Sequence, residues 1–125
     1  MSDDRLRIVC GGVERTASLA DNATARAIWD ALPIESRASR WGDEIYFAVP
    51  VTLPEADESQ DVVAVGDLAY WPTGRAVCIF WGPTPASEGD EPRAASPVNV
   101  FGQVEDDARA FGSVRTGTII RLERA

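Results

Sequence analysis

Between Asp67 and Trp81 the chain reads DLAYWPTGRAVCIFW, and this stretch limits the fold more than any other. Pro72 and Gly74 mark a turn between two runs of strand length. Every residue of those runs except Asp67 is apolar or aromatic, at odd and even positions alike. A strand shows successive side chains to opposite sides, so this pair needs apolar cover on both faces. The 125 residues suit one domain, and a single domain over residues 1–125 is expected.

The neighbouring segments read as the rest of a mainly β fold. Leu6, Ile8 and Cys10 alternate with Arg5, Arg7 and Val9, and Gly11 and Gly12 turn the chain into a second strand carrying Val13, Ala17 and Leu19. Asp21 or Asn22 caps a helix whose Ala25, Ile28, Trp29 and Leu32 fall on one side, with Pro33 as its stop; Trp29 is read as core. Glu44–Val49 alternates as another strand. The acidic run PEADESQD is read as a solvated loop, and the Gly-, Pro- and Ser-rich stretch from residue 82, above all residues 86–97, as a long loop leading into the strand VNVFGQV. A short helix over about Asp106–Val114 and a strand TIIRLE close the order. Two isolated helices among at least seven short strands do not alternate as a βαβ fold does. The spacing predicts a closed barrel whose ends the helices cover, since closure removes sheet edges.

Composition narrows the function. Twenty carboxylates face 12 arginines and no lysine, for a net charge of −8, which repels nucleic-acid phosphate. No apolar run has the length of a signal peptide or membrane span, so a cytoplasmic protein without a membrane partner is expected. Cys10 and Cys78 lie inside apolar strand patterns and read as buried, reduced side chains. With no histidine and two cysteines, zinc, copper and haem lack their usual ligands; oxygen-liganded calcium or magnesium stays open, while no metal site and no cofactor are the expectation.

Four blocks, DNATARAIWDALP, RWGDEIYF, VGDLAYWPTGRAVCIFWGPTP and PRAASPVNVFGQV, in this order resemble the small prokaryotic cyclophilin-like domains, a family of unknown function. The resemblance runs from about residue 5 to residue 123. It implies a closed eight-stranded cyclophilin-like β-barrel with two short helices covering the barrel ends. The motifs that line the proline pocket of the cyclophilin isomerases have no match here, and one of them needs a histidine.

For chemistry, Thr84, Ser87, Ser96 and Cys78 are the candidate nucleophiles, but no histidine stands by as base. Glu44 with Glu88 or Asp90 would make an acid–base pair if the long loop folded over the barrel. Prolyl isomerisation needs neither, only an apolar slot and a donor to the prolyl nitrogen: an atypical peptidyl-prolyl isomerase would use Tyr46, Tyr70, Trp71 and Phe80 as slot and Arg40, Arg75 or Arg93 as donor. The leading expectation is binding of a small molecule or short peptide in an aromatic groove. Its residues are Arg40, Glu44, Tyr46, Tyr70, Trp71, Phe80, Trp81, Arg93, Ser96 and Asn99, with Arg93 read as a carboxylate fork and Asn99 as a polar group needing partners. Self-association into a homodimer through exposed aromatics is the third expectation.

Overall fold

The computed structural model describes residues 4–125. In chain order the elements are β1 (Arg5–Cys10), β2 (Val13–Leu19), α1 (Ala23–Ala31), β3 (Ile34–Arg37), β4 (Ser39–Arg40), β5 (Glu44–Ala48), β6 (Gln60–Val62), β7 (Asp67–Trp71), β8 (Ala76–Phe80), β9 (Arg93–Val104), a 3-10 helix (Ala108–Ser113) and β10 (Ile119–Arg124). Every ladder is antiparallel. The strands follow the order β3-β10-β1-β2-β9-β7-β8-β5-β4, with β6 attached to β9 off this path.

The expected closed eight-stranded barrel is corrected to an open path of nine strands with a tenth, β6, attached to it. β3 and β4 stand at its two ends and do not pair with each other. They are consecutive pieces of one run, separated by Ala38, whose N–H donates to Thr118 O and whose carbonyl accepts from Gly117 N. Before Ala38 the run bonds to β10, and after it to β5. One extended segment thus serves both margins of the sheet.

Alternation sorts the side chains into two apolar layers. Leu68 and Tyr70 of β7, Val77 and Ile79 of β8, and Ile45 and Phe47 of β5 join Leu6, Ile8, Phe101 and Leu122 in the inner core. The opposite parity, Ala69, Cys78 and Phe80, forms a second cluster with Val63, Ala94 and Val98, against which Tyr46 and Trp71 pack. This outer layer exists because β9 begins at Arg93, well inside the stretch expected to be loop. Its first half pairs with β6, Gln60 opposite Val98 and Val62 opposite Arg93, and lays Ala94 and Val98 over the outer face of β7 and β8. Each fully buried Phe, Leu or Ile contributes about 1.5–3 kcal/mol.

The helices pack on the inner core. Asn22 is the cap, its Oδ1 accepting from Ala25 N at 2.8 Å, while its Nδ2 donates to Val100 O at 3.1 Å and fixes α1 to β9. Trp29 is half-buried at the core margin, with the Arg124 guanidinium 4.6 Å over its ring. The second helix is a single 3-10 segment that buries Ala108 and Phe111. No helix among the described residues is long and apolar enough to cross a membrane.

Two buried polar side chains hold the acidic loop. Tyr70 donates its hydroxyl to Val51 O at 2.7 Å and accepts from Leu53 N at 3.2 Å. Asn99, 2% exposed, accepts from Ala56 N at 2.8 Å and donates to Pro54 O at 3.1 Å. Asn99→Ala leaves both backbone groups without that partner, so urea denaturation should show a loss of about 1–3 kcal/mol; a loss under about 0.5 kcal/mol would mean that Asn99 does not hold the loop.

Candidate functional site

On the outer face, where β5 and β8 meet the first half of β9, the apolar layer is incomplete. A cavity of about 180 Å³ lies there, lined by Trp41, Glu44, Tyr46, Trp71, Cys78, Ala94 and Ala95. Each lining group is placed by the ladder. Glu44 and Tyr46 share the outer parity of β5, and Cys78 sits opposite Tyr46 on β8. Trp41 belongs to the β4–β5 turn, where its N–H donates to Glu44 O at 3.0 Å. Gly42 makes that turn with φ of +62°, and a Cβ there would stand 2.8 Å from Thr84 Cα. Only glycine lets this turn close against the 83–85 loop.

Trp71 is fixed more firmly. A Cβ on Gly74 would fall 2.4 Å from the Trp71 ring, so the absence of a side chain in the β7–β8 turn makes room for the indole. Its Nε1–H donates to Ser96 Oγ at 2.6 Å. Tyr46 meets the indole edge to face, the ring centroids 6.2 Å apart at 80°, an arrangement that aromatic pairs favour.

Glu44 is the polar exception in this layer. Its side chain is buried, the residue 4% exposed, and its Oε1 has no hydrogen-bond partner. Burial raises its carboxyl from the ordinary 4.5 to about 7, against a smaller lowering by the hydrogen bond from Cys78. Burial, the Glu44 charge and that same bond push the Cys78 thiol well up. Cys78 is therefore a protonated donor to the carboxylate, and a poor nucleophile.

The other residues expected at a site lie elsewhere. Tyr70 and Trp81 have the inward parity and belong to the inner core. Phe80 faces outward but is wholly covered within the outer cluster. Asn99 brackets the acidic loop. Arg40 donates to Gly42 O, Gly112 O and Val114 O at 2.9, 2.8 and 3.2 Å and lies 5.1 Å over the Trp81 ring, so it ties β4 to the 3-10 helix. Arg93 pairs with Glu91 at 3.0 Å and Asp61 at 3.1 Å; the Glu88 backbone N–H and the Arg93 guanidinium hold Glu91 down at about 2. Ser96 orients Trp71 rather than lining the cavity. Glu44, Tyr46 and Trp71 are brought together, with Cys78, expected only as a candidate nucleophile, and with Trp41, Ala94 and Ala95, which were not expected as site residues. Cross-strand register, with Tyr46 opposite Cys78, is the signal that would have found the thiol. Among the described residues no group of three or more Cys, Asp or Glu side chains is arranged to hold a metal ion.

A family model described as cyclophilin-like matches residues 4–123. The solution structure of the hypothetical protein AF2241 from Archaeoglobus fulgidus is similar, with 44% sequence identity and a TM-score of 0.84 over 98% of this chain and 95% of that one. No curated protein matches the chain.

The raised Glu44 pKa has a stability consequence of definite sign. Below about pH 4.5 the carboxyl is neutral in folded and unfolded chains, and its burial carries no charge penalty. Between about 4.5 and 7 the unfolded chain releases its proton first, so stability falls, by up to about 3 kcal/mol above pH 7. Glu44→Gln should remove this component: the difference in unfolding free energy, variant minus wild type, should rise across the window in denaturant titrations. A difference that stays flat with pH would show that the carboxyl is not desolvated in the folded protein.

Proposed function

The chain belongs to the cyclophilin-like family, and on that fold we propose that it is a binding domain whose outer-face cavity, walled by Trp41, Tyr46 and Trp71 with Glu44 at its polar end, takes a small molecule or one side chain of a short peptide. The observation that carries this reading is the unpartnered Oε1 of Glu44 at a cavity with aromatic walls. A buried polar group without a partner costs free energy comparable to a lost hydrogen bond, and more when charged. A folded protein keeps such a group where function repays its cost. Concave, mainly apolar sites with few polar groups are the usual form of small-molecule pockets.

Prolyl isomerisation has less support. No arginine is among the residues lining the cavity, and both Arg40 and Arg93, two of the three expected donors, are occupied by partners within the chain. Acyl transfer through Cys78 is disfavoured by a thiol held in its protonated form.

The four tryptophans make the test direct. In a fragment screen followed by two-dimensional NMR, ligands should move the indole N–H signals of Trp41 and Trp71 and leave those of Trp29 and Trp81 in place, and Trp71→Ala should weaken binding tenfold or more, about 1.4 kcal/mol. Hits that move only Trp29 or Trp81, or an unchanged affinity in the variant, would place binding outside this cavity.

A further inference from the structure

We infer that the ligand of this cavity is a small organic cation, a protonated amine on a compact apolar or aromatic body, whose N–H is received by Glu44. The inference rests on the cavity being a binding site and names what it binds.

Glu44 Oε1 accepts no hydrogen bond within the protein, and the Cys78 thiol already bonds the Glu44 carboxyl. The indole N–H of Trp71 is held by Ser96, and Ala94 and Ala95 bring no side-chain donor. A ligand that displaces water from this cavity must therefore supply a donor to Glu44, or leave a buried charge without compensation. A neutral hydroxyl returns one hydrogen bond. An ammonium returns the bond and cancels the charge, and charge-assisted bonds are the stronger kind.

The walls select in the same direction. Trp41, Tyr46 and Trp71 present aromatic surface, and the negative face of such rings attracts cations, more so once water is excluded. An anionic ligand finds the opposite: no arginine lines the cavity, Glu44 repels it, and the whole chain carries −8. The same net charge draws cations toward the protein.

Size limits the body of the ligand. The cavity measures about 180 Å³, and an apolar cavity of about 150 Å³ holds benzene. One ring with a short aminoalkyl arm matches that volume.

Glu44 makes this recognition depend on pH. Its carboxyl titrates near 7, and only the ionised form pairs with an ammonium, so binding releases a proton below that point. The groups around it are Cys78 from β8, kept as thiol, and Tyr46 on its own strand. In the adjoining turn Asp43 pairs with Arg40 of β4 at 3.7 Å. From β9, Ala94 and Ala95 face the cavity, and neighbouring Arg93 is paired with Glu91 and Asp61.

The test uses the full chain with three probes of like size: benzylamine, benzyl alcohol and benzoate, titrated by NMR between about pH 5.5 and 8.5. Benzylamine, protonated throughout, should move the Trp41 and Trp71 indole signals and bind best. Its affinity should rise about tenfold per pH unit below 7 and level off above it, and Glu44→Gln should lower it tenfold or more above pH 7 and remove the pH dependence. Benzyl alcohol or benzoate binding as well as benzylamine at these indoles, or a benzylamine affinity that is flat or falls with rising pH in the wild-type chain, overturns the amine inference while the cavity reading stands. No shift from any of the three also overturns it, and a wider fragment set then decides the cavity reading separately.

Discussion

Two adjacent strands with no polar side on either face govern this molecule. β7 and β8 carry Leu68, Tyr70, Val77 and Ile79 inward and Ala69, Cys78 and Phe80 outward, so neither face can be left to water without exposing large apolar area. The inward face is met by the curling of the whole sheet and by the two helices. The outward face has to be covered by something else, and the chain supplies it by extending β9 back to Arg93 and pairing that half with β6. The salt bridges of Arg93 to Glu91 and Asp61 fasten that cover where it begins.

The candidate site follows from the limits of that cover. β6 is three residues long, and toward β5 the outer layer runs out between Ala94, Ala95 and the β4–β5 turn. Trp41, Tyr46 and Trp71 wall what remains, and one carboxylate stands among them. Replacing Glu44 with an apolar residue would remove its desolvation cost. That the buried layer holds a carboxylate with an oxygen unbonded is the tension from which the binding reading, and the preference for a cation, are drawn.

Local pattern made much of the fold legible. The alternation of β1 and β2 around Gly11 and Gly12, the stripe and Asn22 cap of α1, and the β7–β8 hairpin around Pro72 and Gly74 depend on neighbours in sequence. What was not legible depends on distant partners. Residues 34–40, IESRASR, show no apolar alternation, so neither β3 nor β4 was expected; they are strands because β10 and β5 bond to them. The early start of β9 was hidden by Pro92 and Pro97, which read as loop but are compatible with a short strand paired beside the main sheet. At the candidate site it was side-chain parity that the sequence left illegible. Tyr70 and Trp71, like Phe80 and Trp81, are sequence neighbours, and a strand sends neighbours to opposite faces. Tyr70 and Trp81 went to the inner core, leaving Trp71 for the cavity, while Trp41 joined it through a turn whose position only the fold defines.

The outer-face site depends on Glu44 being a desolvated carboxylate within the outer layer. Its own titration, followed by carbon NMR of the side-chain carboxyl in the ligand-free protein, tests this most directly. A midpoint near 7 is the result expected from its surroundings. A midpoint near the ordinary 4.5 would mean that water solvates the group freely, and the cavity would then hold no unmet polar demand for a ligand to answer.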